Sequence, residues 1–290
     1  MNGSKVSLSV TDPGLLFGAT VFTTLRVYDC GLGHPRTAWR SHVHRLQASV
    51  TEFSWTQPDW NRVHTEVEHL AQQYPVIRIT LFPDGRELIT GRSLPEMLDI
   101  SQRDGVAAWL VQGHSFCRSV ANHKTGNYLA PWRALNVARR NGMQEAILSN
   151  PSTGNWLETS TGNLIGWGNG KWWTPPLVKR NENAYPLEIA NSQSIEDEHS
   201  EHNQIDQTSL KPLILPGIMR SQLISWLRCH NKEIVQAMWT PERVEGLEFV
   251  AYCNTVRQVI PIHTVVNEHH CLRFDAHHDC LDDMAGFIYS

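Results

Sequence analysis

The chain has 290 residues, 41% of them hydrophobic and 19% charged, which suits a folded protein of one large or two medium domains and excludes a disordered or fibrous chain. Its formal net charge of -4 offers no overall positive field to nucleic acid or acidic membranes, so small molecules are the expected partners. No apolar leader follows Met1, no stretch reaches the length of a membrane span, and the six cysteines form no Cys-x-x-Cys pair, so a cytoplasmic protein is expected.

Residues 5–10 alternate like a strand, and Val21 to Tyr28 reads as a second. Period 2 puts Thr20, Phe22, Thr24, Arg26 and Tyr28 on one face of it and Val21, Thr23, Leu25 and Val27 on the other. Ser41 is placed to cap a helix running through Arg45 towards Val50, and Trp60 to Gln73 has the spacing of a second helix. Val76 to Phe82 and Val106 to Val111 are predicted strands. Gln112 to Asn122 is irregular, which divides the chain into a small N-terminal α/β domain at 1–112, a linker at 113–122 and a larger domain at 123–290. In the larger part we expect a helix over Ala130 to Arg140, a strand over Glu145 to Ser149, and another from Trp156 leading to a Gly168-Asn169-Gly170 hairpin. Residues 179–211 are polar and read as a solvated insertion. A helix over Gly217 to Cys229 and strands over Phe249 to Cys253 and Val259 to Val265 follow. The tail carries His269, His270, Cys271, His277, His278, Asp279 and Cys280, but without metal-ligand spacing, so no metal is expected.

Four separated segments carry groups that pyridoxal 5'-phosphate (PLP) requires: a lysine for a Schiff base, an acid for the pyridine nitrogen and donors for the phosphate. His123-Lys124-Thr125-Gly126-Asn127-Tyr128 sets a lysine just after the linker, and Trp156-Leu157-Glu158-Thr159 sets a carboxylate near a strand end. Leu215-Pro216-Gly217-Ile218-Met219-Arg220 opens a helix with a glycine that lets amides approach an anion. Cys253-Asn254-Thr255-Val256 follows a strand. Each alone reads more simply as a surface charge, a strand residue, a helix start or a turn.

Taken with Phe17-Gly18, Phe22 to Val27, His44-Arg45-Leu46 and Trp173 to Leu177, these collinear segments resemble the class IV aminotransferases over most of residues 8–265. The resemblance implies a two-domain α+β fold of the D-amino acid aminotransferase type, with PLP in the interdomain cleft and usually a homodimer. By matching position it implies that Lys124 forms the Schiff base and moves protons, and that Glu158 pairs with the pyridine nitrogen. Arg45 and the amides of Ile218 and Met219 would bind the phosphate, Asn254 and Thr255 would add donors, and Tyr128 would touch the cofactor's 3'-oxygen. Within the family the wording is most similar to the aminodeoxychorismate lyases, through Phe22-Thr23-Thr24, Gly217 to Arg220 and Cys253-Asn254. That implies a catalytic part for Thr24, and we assign Arg26, on the same strand face, to substrate binding. A transaminase acting on branched-chain or D-amino acids, and a PLP-binding protein without catalysis, remain open alternatives. Pro83-Asp84-Gly85-Arg86 and the 179–211 insertion depart from the family pattern.

Overall fold

Alternation along one short strand sorts the first half of the molecule. In the computed structural model, which describes residues 8–29, 31–177 and 214–288, β1 (Val21–Arg26) follows a single helical turn, α1 (Pro13–Leu16). Val21, Thr23 and Leu25 of β1 are fully buried under α2 (Trp39–Glu52) and α3 (Trp60–Ala71), whose Leu46, Val50, Val63 and Val67 recur at helical spacing. β1 pairs antiparallel with β2 (Val76–Leu81), and β2 with β3 (Glu87–Arg92). Thr24 lies opposite Arg78 and Phe22 opposite Thr80, so these residues share the sheet face turned away from the helices with Arg26 and Arg92.

α4 (Leu98–Asp104) leads to β4 (Val106–Val111), the first strand of a larger sheet. The remaining elements are α5 (Leu129–Arg140), β5 (Glu145–Ser149), β6 (Trp156–Thr159), β7 (Asn163–Gly168) and β8 (Lys171–Thr174), then α6 (Ile218–Cys229), β9 (Ile234–Gln236) and α7 (Pro241–Glu245). Last come β10 (Phe249–Asn254), β11 (Gln258–Val266), β12 (Cys271–Arg273) and the short α8 (Ala285–Ile288). The pairing order β10-β11-β4-β5-β6-β7 returns to its start because β7 also pairs β10, so six strands close into a ring. Period 2 then separates inside from outside. Val250 and Tyr252 of β10 join the interior with Trp156, Leu164 and Trp239, while Phe249, Ala251 and Cys253 pack outward against Met219, Leu223 and Leu227 of α6. At about 25 cal/mol per Å² of apolar area, these two layers are where most of the stabilisation of this half arises.

Several expectations need correction. Leu8 to Val10 form no strand, and Val10 is 80% exposed, because the alternation there has no sheet edge to pair with. Helix α2 starts at Trp39 after Ala38 in the left-handed conformation (φ 51°), two residues before Ser41, and lacks a side-chain cap. β4 belongs to the larger sheet although a boundary at 112 assigns it to the first unit, and we propose that the division falls between β3 and α4. The polar insertion at 179–211 lies outside the described residues. The 168–170 hairpin has positive φ at Asn169 (54°) and Gly170 (73°), as a type I′ turn demands. Among the described residues no helix is long and apolar enough to cross a membrane.

Candidate active site

Lys124 is held by the backbone of β1. Phe22 N donates to Lys124 O (2.8 Å) and Gly126 N donates to Thr20 O (2.6 Å), so the lysine segment runs along the start of β1 before α5 begins. Gly126 permits this approach, since a Cβ there would meet Thr20 Oγ1 at 2.0 Å. Lys124 Nζ sits 4.9 Å from the centre of the Phe22 ring and 5.6 Å from that of Tyr128. Desolvation, then the positive charges of Arg118 and Arg45, hold this amine well below the ordinary lysine range, outweighing Glu158. A neutral amine is the form that attacks a carbonyl.

That depression carries a cost in the free chain. Between the lowered folded value and the ordinary lysine value of about 10.4, the unfolded state binds the extra proton, so stability rises with pH across that window. Lys124→Met of similar shape removes the penalty. We expect the variant to melt above the unsubstituted apoprotein at pH 7, with the gap narrowing as pH approaches about 10. A gap independent of pH in thermal melts would mean that Lys124 is an ordinary charged lysine.

Across the cleft, Glu158 at the end of β6 is 3% exposed. Its Oε2 accepts from Leu215 N (3.3 Å), and its Oε1 lies 2.7 Å from Arg118 Nε, a close contact of charges in which the N–H is not directed at the oxygen. Burial raises the Glu158 carboxyl, and Arg118 opposes that shift. Arg118 Nη2 also donates to the Tyr128 hydroxyl (3.4 Å), which donates to Ser160 O (2.5 Å). Behind this wall the buried Glu145 accepts from Ser160 Oγ and from Thr161 Oγ1 (2.5 Å), fixing the turn between β6 and β7. Asn254 Nδ2 donates to Thr161 O (3.3 Å), and Thr255 Oγ1 donates to Thr24 O (2.8 Å), tying the β10–β11 turn to both walls.

The third wall suits an anion. Arg45 of α2 donates through Nη2 to Thr23 Oγ1 (2.7 Å), and none of the ion pairs found among the described residues gives it a carboxylate. Burial, then Arg118, pushes it down to about 10, still a cation at neutral pH. Facing it, α6 begins at Gly217 with no side-chain cap, so its first amides are available to an outside acceptor. A Cβ on Gly217 would meet Asn163 Oδ1 at 1.9 Å, so only glycine lets the helix start sit this close. A cation without a counter-charge beside free helix amides fits a phosphate. Together with the acid at Glu158 and the depressed amine of Lys124, the donor set fits PLP.

Of the residues expected from sequence, Arg45, Lys124, Glu158, Ile218, Met219, Asn254 and Thr255 line one cleft, and Tyr128 borders it through Lys124 and Arg118. Thr24 and Arg26 stand on the neighbouring sheet face, and Arg26 Cζ lies 5.0 Å over the ring of Tyr28. Two arginines escaped the sequence reading. Arg118 comes from an irregular linker without periodicity, whereas Arg78 could have been noticed as a charge inside the apolar run Val76-Ile77-Arg78-Ile79. Arg78 Cζ lies 3.6 Å from the centre of the Phe22 ring, which carries it to the edge of the lysine pocket. In the tail, His278 Nδ1 accepts from Cys280 N and Nε2 meets Glu248 Oε2 (3.3 Å); no metal-binding group of His, Cys, Asp and Glu assembles among the described residues.

The model of the amino-transferase class IV family matches residues 20–180. No curated protein matches the sequence. Among solved structures, one provisionally named a 4-amino-4-deoxychorismate lyase is 21% identical with a TM-score of 0.64, covering 90% of this chain and 91% of that one. A branched-chain aminotransferase from Thermoproteus uzoniensis is 19% identical with a TM-score of 0.70, over 98% and 88%. The PLP-bound form of a hypothetical aminotransferase from Mycobacterium tuberculosis is 17% identical with a TM-score of 0.70, over 100% and 95%. These likenesses carry the fold: two α+β units with the cleft between them.

Proposed function

This chain belongs to the class IV aminotransferases, and from that membership we propose that it is a PLP-dependent 4-amino-4-deoxychorismate lyase, releasing pyruvate and leaving 4-aminobenzoate. One observation carries the choice. The cleft-side face of the first sheet presents Arg26, Arg78 and Arg92 and no acid, because the one acid of these strands, Glu87, lies opposite Leu81 on the helix side. Such a face suits a substrate with two carboxylates, as aminodeoxychorismate has. A branched-chain amino acid brings a single carboxylate and an apolar side chain, which this face serves less well. A PLP-binding protein without catalysis would use the depressed amine of Lys124 for its imine as well, and turnover in the incubation below is what separates the two readings.

PLP, when bound, supplies the electron sink for charge at the substrate carbon bearing the amino group. Arg45 and the amides of Ile218 and Met219 hold its phosphate, and Glu158 holds a proton at its pyridine nitrogen. Lys124 Nζ removes the ring proton whose loss makes the ring aromatic, and delivers a proton to the departing enolpyruvate. The rings of Phe22 and Tyr128, centred 4.9 and 5.6 Å from Nζ, give it an apolar flank. Arg78 and Arg26 orient the substrate carboxylates.

Incubation with enzymatically generated aminodeoxychorismate tests the proposal through the fluorescence of 4-aminobenzoate. No fluorescence, together with conversion of an amino acid and 2-oxoglutarate, makes the protein a transaminase. Thr24→Ala should keep PLP while 4-aminobenzoate formation falls at least about tenfold, roughly 1.4 kcal/mol, the scale of one hydrogen bond. Unchanged turnover would leave Thr24 as a strand residue only. We further propose a cytoplasmic homodimer. The five described cysteines are free, and Leu15, Leu16, Phe17, Leu129 and Trp132 are exposed where α1 and the start of α5 flank the Gly18–Asn127 contact. Sedimentation of the full chain as a monomer at micromolar concentration would refute the dimer.

A further inference from the structure

We infer that Thr23 and His42 are positioning residues that aim Arg45 at the cofactor phosphate, an inference that rests on the reading of Arg45 as the phosphate ligand. Both side chains are 0% exposed and lie in the apolar layer formed by Val21, Leu25, Leu46 and Val50. Packing alone gives no reason for a hydroxyl and an imidazole there, since buried polar groups cost stability unless they are used. Their contacts show the use. Thr23 Oγ1 lies 2.6 Å from His42 Nδ1 and accepts from Arg45 Nη2 at 2.7 Å. Arg45 can only donate, so Thr23 Oγ1 accepts from it, while the tautomer of His42 sets which of Oγ1 and Nδ1 donates in their shared bond, and His42 Nε2 has no partner among the described residues. Burial, then the charge of Arg45, holds the His42 imidazole well below its ordinary range and keeps it neutral.

The chemistry of this arrangement differs from an ordinary ion pair. A carboxylate in place of Thr23 would fix the guanidinium but cancel its charge and compete with the phosphate. A neutral acceptor fixes one Nη of Arg45 and leaves the full positive charge for an anion. The bond to His42 fixes the rotamer of the hydroxyl and so turns a lone pair of Oγ1 towards the guanidinium. Thr23 and His42 leave no local signal in the sequence, because they share the buried side of β1 and α2 with core residues.

The test compares PLP with pyridoxal, which lacks the phosphate, in titrations of the apoprotein followed by absorbance. Arg45→Ala serves as the reference for the phosphate reading and should weaken PLP while leaving pyridoxal affinity unchanged. Thr23→Val keeps the shape and removes the hydroxyl. It should raise the dissociation constant for PLP at least about tenfold, the scale of a lost bond to a charged group, with pyridoxal unaffected. Thr23→Ser should restore the PLP value, and His42→Phe should follow Thr23→Val. If Thr23→Val weakens both ligands equally, or neither, while Arg45→Ala discriminates, Thr23 and His42 are packing residues and the inference fails with the phosphate reading intact. If Arg45→Ala itself does not discriminate, the phosphate reading fails and takes the inference with it.

Discussion

Lys124→Ala is expected to lower 4-aminobenzoate formation by at least about 10⁴-fold, since it removes the nucleophile and the proton-transfer base together. The purified wild-type protein should be yellow, and the variant should lose that colour even where it still binds PLP through Arg45 and the helix amides. No other described lysine can substitute. Lys171 pairs with Glu233 (3.1 Å) and Lys232 with Asp283 (2.6 Å), both away from the cleft residues. Among the described lysines, Lys124 alone combines a depressed amine with aromatic walls and a cleft shared with Arg45. Borohydride treatment followed by mass analysis of the peptides checks this. A cofactor adduct fixed to the Lys124→Ala chain would remove the assignment.

The legible part of this site is the part written in local pattern. Period 2 on β1 separates Phe22 and Thr24 from Thr23 and Leu25, and the structure places them on opposite faces of the sheet. The glycine ahead of α6 marks a helix start, and Gly217 stands there. Contacts that join distant segments leave no such trace. Arg118 meets Glu158 across 40 positions through a linker with no repeat to read, and Glu145 reaches Ser160 and Thr161 only because β5 and β6 pair. β3 carries no strand signal because Thr90-Gly91-Arg92 lacks an apolar run, yet Gly91 is where Tyr74 packs so closely that a Cβ would sit 2.3 Å from its ring. Residues 5–10 show the opposite error, a strand pattern with no partner edge for its described part.

Glu158→Gln is expected to retain the cofactor and to slow turnover by about 10²-fold or more, the scale for losing one preorganised electrostatic contact. A neutral amide cannot hold a proton on the pyridine nitrogen. The same change strips Arg118, only 10% exposed at its side chain, of its counter-charge. Breaking a buried pair from one side costs about 3–5 kcal/mol, and the amide oxygen, which still accepts, sets the expectation near about 3 kcal/mol. A slower and less stable enzyme alone would therefore not distinguish chemistry from packing. The double variant Glu158→Gln with Arg118→Met separates them, because it removes the stranded guanidinium along with the acid. Stability in denaturant should then recover most of the loss, while turnover should remain down by about 10²-fold. Recovery of turnover together with stability would show that Glu158 acts only by pairing with Arg118, and the proton at the pyridine nitrogen would need another holder.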